Sequence, residues 1–285
     1  MSPRKPVGAI LGIAGLAFVG LLALLIFHHG SRAPEIRPGN DFDPADFVRG
    51  RPQLDVPYVA SDLQVVDAML GLAQVKPDDY LIDLGSGDGR ILISAARSIG
   101  AHGLGVDIDP ARVREATANA LAAGVAQRVT FREQDLFETP LHGADVLALY
   151  LSPEVDLRLR PRILAQMRPG ARVVSHDFDM GDWHWDQRQR IGNATIYLWI
   201  VPAQVAGTWT LSVGGRTWPL QLEQSFQQFY GTAGDGRIEQ GHLIGDHIRF
   251  LASFGEGRRV FEGRVDGDRI VPIPDSAGWH AERSY

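Results

Sequence analysis

The chain has 285 residues, 45% of them hydrophobic and 22% charged, with a formal net charge of −6 at neutral pH and no cysteine. That length allows two domains, and the negative balance argues against a general nucleic-acid binder, whose surface is usually basic. Without cysteine, disulfide frameworks and thiolate metal sites are excluded, and the nine histidines fall into no recognised ligand spacing, so no metal site is expected.

Arg4 and Lys5 precede residues 7–27, a run of 21 residues without a charge, which matches the ~20 that a helix needs to cross a hydrocarbon core. A cleaved signal peptide would have a shorter apolar region followed by a small-x-small site, and His28-His29-Gly30-Ser31-Arg32-Ala33 fits that poorly. Residues 1–28 are therefore expected to form a single-pass transmembrane anchor. Arg4 and Lys5 on one side balance Arg32 and Arg37 on the other, so charge alone does not orient it. Residues 29–50, rich in Pro, Gly and Asp without an apolar period, read as a linker.

A first globular domain is expected over residues 51–201. It opens with Val56-Pro57-Tyr58-Val59, and Ser61-Asp62-Leu63-Gln64 has the S-x-x-Q form of a capping box. The helix that follows would cover a sheet edge, and Tyr58 would either share that role or wall a pocket. The central stretch is residues 78–90. An apolar run ends at Asp83, glycines follow at alternate positions (Gly85, Gly87, Gly89), and a helical pattern starts near Ile91. Glycine serves where a chain turns with positive φ or lies directly against a ligand. Strand, glycine turn and helix together make the mononucleotide-binding layout, with the ligand at the carboxyl end of the strand. The spacing is G-x-G-x-G, not the G-x-G-x-x-G of NAD and FAD folds, and no Lys-Ser/Thr pair makes it a P-loop.

Residues 103–107 form a second buried-strand pattern ending in Asp107, 18 residues beyond Gly89. That is close to the ~20 expected of an acid that accepts from both hydroxyls of a ribose. Asp109-Pro110 supplies an N-cap and an N1 proline, and Gly124 a helix stop. A third strand, 128–132, leads to Asp135. A fourth (144–151) carries Tyr150 at its end, a helix spans 157–167, a fifth strand spans 171–176, and residues 187–201 read as a closing antiparallel hairpin. Repeated β-α units followed by that hairpin predict a Rossmann-like α/β fold, a seven-stranded, mostly parallel sheet with helices on both faces.

Asp-Leu-Gly-Ser-Gly-Asp-Gly, residues 83–89, resembles motif I of the class I S-adenosylmethionine (SAM) methyltransferases. Val-Pro-Tyr-Val, then about two dozen residues, then the motif through Arg90 resembles the protein-lysine N-methyltransferases that include the enzyme modifying the ATP synthase c-subunit; their members also carry a hydrophobic N-terminal segment. The resemblance covers roughly residues 56–186. It implies SAM as cofactor, held by Asp83, Gly85, Ser86, Gly87, Gly89, Asp107, Ile108, Asp135, Leu136 and Tyr58, with Asp135 accepting from the adenine amino group. Arg90 sits at a helix N-terminus, where the macrodipole opposes a cation, so it either reaches an acid or is an ordinary exposed residue. SAM is a cytosolic metabolite, which places the catalytic domain on the cytosolic side of the membrane.

SAM carries an activated methyl, so the protein mainly aligns a nucleophile with it. A lysine amine attacks only when neutral, although its reference pKa is about 10.4. Asp177 or Asp179 would attract and orient the amine, Tyr150 would accept from it, and Trp183 and Trp185 would form a channel for the side chain. The alternative is that the acids cap turns and the tryptophans close the interface to the next domain. The eukaryotic members carry a Pro- and Phe-rich loop ahead of the Trp, whereas the loop 176–185 is acidic here.

Residues 202–285 change to β-rich segments with turns at Gly214-Gly215, Gly234-Asp235-Gly236, Gly245-Asp246 and Gly267-Asp268. Alternation of Ile248, Phe250, Ala252 and Phe254 predicts a small antiparallel barrel or sandwich. Its aromatic residues Trp209, Trp218, Phe226 and Phe229 are expected to fill the core rather than line a cavity. The leading functional reading is a membrane-anchored SAM-dependent methyltransferase with a protein substrate presenting a lysine and no nucleic-acid partner. The alternatives are a methyltransferase for a small or lipid-like molecule, and a non-catalytic anchored protein that binds through its β domain.

Overall fold

The computed structural model describes residues 59–254 and 257–285. The expected anchor, its linker and Tyr58 lie outside the described residues. Among the described residues, no helix is long and apolar enough to cross a membrane.

The first domain is the expected seven-stranded sheet. Its strands are β1 (Tyr80–Leu84), β2 (His102–Asp107), β3 (Val129–Glu133), β4 (Val146–Leu149), β5 (Arg172–His176), β6 (Gln187–Ile191) and β7 (Ala194–Ile200), in the order β3-β2-β1-β4-β5-β7-β6. The first five pair in parallel, and β7 enters antiparallel between β5 and β6. The central strand β4, Val-Leu-Ala-Leu, is buried throughout. Such an uninterrupted apolar run suits a strand covered on both faces.

Side chains alternate between those faces. Val146 and Ala148 join a core with Val65, Val66 and Met69 of helix α1 (Leu63–Leu72) and Ile91, Leu92 and Ala95 of α2 (Arg90–Ser98). Leu147 and Leu149 turn to the opposite core, with Val155, Leu159 and Ile163 of α4 (Pro153–Gln166). Helix α3 (Pro110–Ala122) connects β2 to β3, with Asp109 as its N-cap and Pro110 in its first turn. The capping box expected at Ser61 is not formed. Asp62 caps α1, its carboxylate accepting from Gln64 N at 2.8 Å, because the Ser61 hydroxyl is drawn inward to a histidine described below.

The second domain is a closed barrel of eight antiparallel strands: β8 (Gly207–Val213), β9 (Arg216–Ser225), β10 (Gln228–Ala233), β11 (Gly236–Ile244), β12 (His247–Phe254), β13 (Gly257–Asp266), β14 (Arg269–Pro272) and β15 (Trp279–Arg283). β15 closes onto β8 with Trp279 opposite Val213 and Arg283 opposite Trp209. Closure removes the exposed strand edges that invite aggregation. The Gly214-Gly215 turn has φ of 55° and 81°, the doubly positive geometry of a type I′ hairpin that glycine adopts without strain. The barrel interior is filled: Phe250 stacks on Phe261 with ring centroids 4.8 Å apart, and Trp279 meets both edge-on. Trp209 and Phe229 are core residues, as expected, while Trp218 and Phe226 are only partly buried.

The barrel is seated on the sheet domain. The Trp183 ring stacks with Phe226, centroids 6.0 Å apart, and the Gln227 amide donates to the His184 carbonyl at 2.6 Å. Trp183 is fully buried, so of the two roles open to it, acceptor channel or interface to the next domain, it takes the second, in the core beneath the barrel. Trp185 packs on Tyr197, and the cation over its ring is the chain's own Arg188, at 4.8 Å.

Candidate active site

The glycine turn takes its shape from three positive-φ residues, Gly85 at 75°, Gly87 at 52° and Gly89 at 81°. Gly85 N and Ser86 N both donate to Val106 O at 2.9 Å, and Gly87 N donates to Asp107 Oδ2 at 2.9 Å. The turn is therefore tied to the end of β2 as well as to β1. A Cβ on Gly85 would lie 2.8 Å from Leu151 Cδ2, and one on Gly89 2.5 Å from the Phe131 ring. Side chains at these positions would collide with the residues packed against the turn.

Above the turn, a cleft is lined by Val59, Ala60 and Ser61 from the segment before α1, by Asp83, Gly85, Ser86, Asp88, Arg90 and Ile91 around the turn, and by Tyr150 at the end of β4. Two of these residues hold buried polar atoms without a protein partner, Asp83 Oδ2 and Ser86 Oγ. Burial, reinforced by the charges of Asp107 and Asp88, pushes the Asp83 carboxyl up to about 8. An acid kept protonated in this way ionises readily when a cationic group arrives beside it. The orphaned polar atoms and the acid at the strand end fit a ligand carrying an ammonium group, as SAM does.

Asp107 is half-buried, and burial raises its pKa against the pull of two backbone amides. Its Oδ2 accepts from Gly87 and its Oδ1 from Asp109 N at 2.9 Å. Those bonds fix the carboxylate, and each oxygen retains a second lone pair for a ribose hydroxyl. Asp135 is similarly held, its Oδ1 accepting from Phe137 N at 2.7 Å. Ile108, 37% exposed, follows β2, and the half-buried Leu136 follows β3. Leu136 packs against the core that holds Leu147 and Leu149.

At the other end of the cleft stands a group only partly visible in the sequence. Tyr150 stacks on His176 with centroids 3.9 Å apart. His176 Nδ1 is 2.9 Å from Ser61 Oγ, and its Nε2 is 3.4 Å from Asp177 Oδ2. Arg90 does reach an acid: its guanidinium is clamped on Asp88 (Nε to both carboxylate oxygens at 3.0 Å), and its Nη1 donates to Ser61 O at 2.6 Å. Asp179 accepts from Gly181 N at 3.0 Å and so shapes a turn, the alternative role considered for it.

Asp156 is a buried acid that the sequence reading passed over. It lies on α4, Ser175 Oγ donates to its Oδ2 at 3.4 Å, and its Oδ1 has no partner. Burial pushes its pKa up to about 7. Its signal was an acid on the helix stripe otherwise formed by Leu159 and Ile163. For His176 the signal was a polar residue ending an apolar strand, at the sheet edge where ligands bind. Ser61 was hidden because its motif also spells a helix cap.

A family model for the ANTKMT methyltransferase domain matches residues 83–187 and ends ahead of the barrel. A protein-lysine N-methyltransferase of Saccharolobus islandicus is 37% identical over 151 residues, 51% of this chain and 94% of the relative. The adenine nucleotide translocase lysine N-methyltransferase of Mus musculus is 30% identical over 162 residues, 57% of this chain and 69% of the relative. A solved structure described as an RNA methyltransferase from Salinibacter ruber with S-adenosyl-L-homocysteine is 50% identical, covers 52% of this chain and 96% of its own, and superposes with a TM-score of 0.51. With the glycine cradle and its strand-end acids in place, the chain is a SAM-dependent methyltransferase and belongs to the protein-lysine N-methyltransferase family.

Proposed function

We propose that this enzyme methylates a lysine side chain of a protein substrate, and that residues 7–27 hold it at a membrane with the catalytic domain on the cytosolic side. The observation that carries the reading is the Tyr150–His176–Asp177 group beside the cofactor cradle, which offers a cationic amine an aromatic face, a neutral imidazole and a carboxylate. The similarity to two lysine N-methyltransferases supports it. When bound, SAM supplies a methyl on a sulfonium. The residues present then align the acceptor and dispose of its proton.

Asp83 and Ser86 would hold the amino acid part of the cofactor, Asp107 its ribose, and Asp135 with Ile108 and Leu136 its adenine. Tyr150 stays a phenol, its pKa raised by burial and by the Asp177 charge. Its oxygen can therefore accept from an amine while its ring walls the cleft. Asp177 supplies negative charge beside His176.

A second reading, RNA methylation, rests on the Salinibacter structure. The net charge of −6 and the acids Asp177, Asp179 and Asp182 in one loop oppose it, because a phosphate backbone is met by cationic surfaces.

The test is incubation of the full chain with tritiated-methyl SAM and a membrane extract, followed by separation of protein, RNA and solvent-extractable fractions. Label in protein, recovered as methyl-lysine, is the expected result; label in RNA or in the extractable fraction refutes the lysine reading. The background is low, since the enzyme itself contains only Lys5 and Lys76 among its 28 basic residues. Sedimentation of the full chain, but not of one lacking residues 1–50, with membranes tests the anchor.

A further inference from the structure

We propose that His176, acting through Ser61 and held by Asp177, takes the proton that the acceptor ammonium must lose before methyl transfer. The inference rests on the lysine reading above and adds to it a named route for the proton.

The geometry runs inward to outward. Ser61 lines the cleft, yet its side chain is buried and its Oγ is committed to His176 Nδ1 at 2.9 Å. The opposite ring nitrogen, Nε2, faces Asp177 Oδ2 at 3.4 Å, and Asp177 is exposed. A carboxylate beside Nε2 favours the tautomer with its hydrogen there, which leaves Nδ1 to accept from the Ser61 hydroxyl. The Ser61 oxygen then keeps lone pairs for a donor in the cleft.

Every member is fixed from outside the group. Arg90, clamped by Asp88, bonds the Ser61 carbonyl at 2.6 Å. Tyr150 covers the imidazole face at 3.9 Å. Asp177 has a φ of 64°, its N donates to Thr195 O at 2.7 Å, and its Oδ1 accepts from Thr195 N at 2.7 Å. A left-handed aspartate is uncommon, and such a conformation persists only where its surroundings impose it. Here both backbone and carboxylate are latched to β7, which leaves Oδ2 for the histidine.

The charged and titratable groups around His176 are Asp177 beside it, Tyr150 above it and, through Ser61, the Arg90–Asp88 pair. Burial lowers the His176 pKa and Asp177 opposes that shift. The net shift favours the neutral ring, the form that can receive a proton.

In the step itself, one ammonium N–H bond breaks and its electron pair stays on nitrogen. The proton passes to Ser61 Oγ as the Ser61 proton passes to His176 Nδ1. Asp177 stabilises the imidazolium, as the carboxylate does in serine hydrolases. The freed amine attacks the methyl. Once product leaves, the proton returns through Ser61 to water, restoring the starting tautomer.

The test compares the full chain with Ser61→Ala, His176→Gln and Asp177→Asn. SAM affinity by calorimetry is expected to stay within about threefold, since the Ser61 hydroxyl is turned to His176 and the cofactor-side groups of the cleft, Asp83 and Ser86, are left in place. The initial rate of tritium transfer into the protein fraction of a membrane extract is then followed from pH 6.5 to 10. Ser61→Ala and His176→Gln should lose about 100-fold or more near pH 7, in the range of general-base effects. They should recover most of that loss by pH 10, where a lysine with a reference pKa of about 10.4 is partly neutral in water. A loss equal at every pH, or no loss, overturns the proposal. Label entering RNA or the extractable fraction removes the lysine reading, and the proposal with it. Nitrogen-15 NMR of the unmodified protein gives a readout independent of activity. His176 should be neutral with its hydrogen on Nε2 at pH 7, and Asp177→Asn should erode that preference. A wild-type imidazolium, or a hydrogen on Nδ1, overturns the proposal.

Discussion

The sheet domain and the barrel treat buried polar atoms in opposite ways. Among the described residues, the buried side-chain atoms without a partner are Asp83 Oδ2, Ser86 Oγ, Asp156 Oδ1 and Trp183 Nε1, all in the sheet domain. In the barrel, Trp209 Nε1 donates to Val205 O at 2.8 Å and Trp279 Nε1 to Ser276 Oγ at 3.3 Å, inside a core of packed aromatics. A buried polar group left unpaired costs about 1–3 kcal/mol. Such groups persist where a ligand completes them, and two of the four, Asp83 and Ser86, line the cleft, so the sheet domain carries unmet bonding capacity at its working end. The barrel, with its interior filled, adds packing and an outer surface.

The largest effect should therefore come from the barrel and leave the chemistry untouched. Trp209 is fully buried and makes its indole hydrogen bond inside the core. Trp209→Ala is expected to lower stability by about 3–5 kcal/mol, the usual cost of emptying a large aromatic site. Urea denaturation would measure that loss, and calorimetry under folding conditions should find SAM affinity within about threefold of wild type. A large loss of affinity would show that barrel packing reaches the cofactor cleft and would break the contrast.

Asp83 should behave in the reverse manner. Its pKa is raised to about 8 in the fold from an ordinary value of 3.8, so the folded chain holds this proton more tightly than the unfolded chain does. The resulting stabilisation is complete below the unfolded pKa and lost as pH rises toward 8. An amide does not titrate. Asp83→Asn should therefore gain about 1–3 kcal/mol over wild type between pH 5 and pH 8, the scale of relieving one buried, poorly satisfied group. The same change should weaken SAM at least tenfold, equivalent to about 1.4 kcal/mol, because the amide cannot offer a negative charge. Stability and binding moving in opposite directions would mark Asp83 as a residue kept for its ligand; a loss of both would make it structural.

Legibility in the sequence followed the same division. The first half of the site was readable because each part has a local signature: Gly85, Gly87 and Gly89 satisfy a backbone need that few residues meet, and Asp83, Asp107 and Asp135 each end a strand. The acceptor half was readable only in part: Tyr150 and Asp177 stood out as a strand-end tyrosine and a loop acid, whereas Ser61 and His176 did not, because they are brought together across the fold. Ser61 and His176 are 115 positions apart, and no local pattern links them. The barrel could be read as a class from its turn glycines and alternating apolar residues. Its closure depends on β15 returning to β8, a pairing of distant strands that alternation does not encode. For Trp183 two roles stayed open, because an aromatic in a loop looks the same whether it faces a substrate or a neighbouring domain.

The smallest effect tests the comparison at the surface. Arg269 and Glu282 lie opposite each other on β14 and β15 with Nη2 and Oε1 3.0 Å apart, their side chains 68% and 55% exposed. Exposed pairs return little, since water competes for both charges and two long side chains lose freedom. Arg269→Ala should cost no more than about 0.5 kcal/mol in urea denaturation, and less still at higher salt. The sheet contains the counterpart, Arg172 with Asp79 at 2.8 Å, side chains 15% and 9% exposed, where the guanidinium also serves the Ala73 and Gln74 carbonyls. Removing that arginine strands a buried carboxylate and two carbonyls, so Arg172→Ala should cost clearly more than Arg269→Ala. Equal losses would mean that burial does not separate the two domains in the way their unpaired polar atoms indicate.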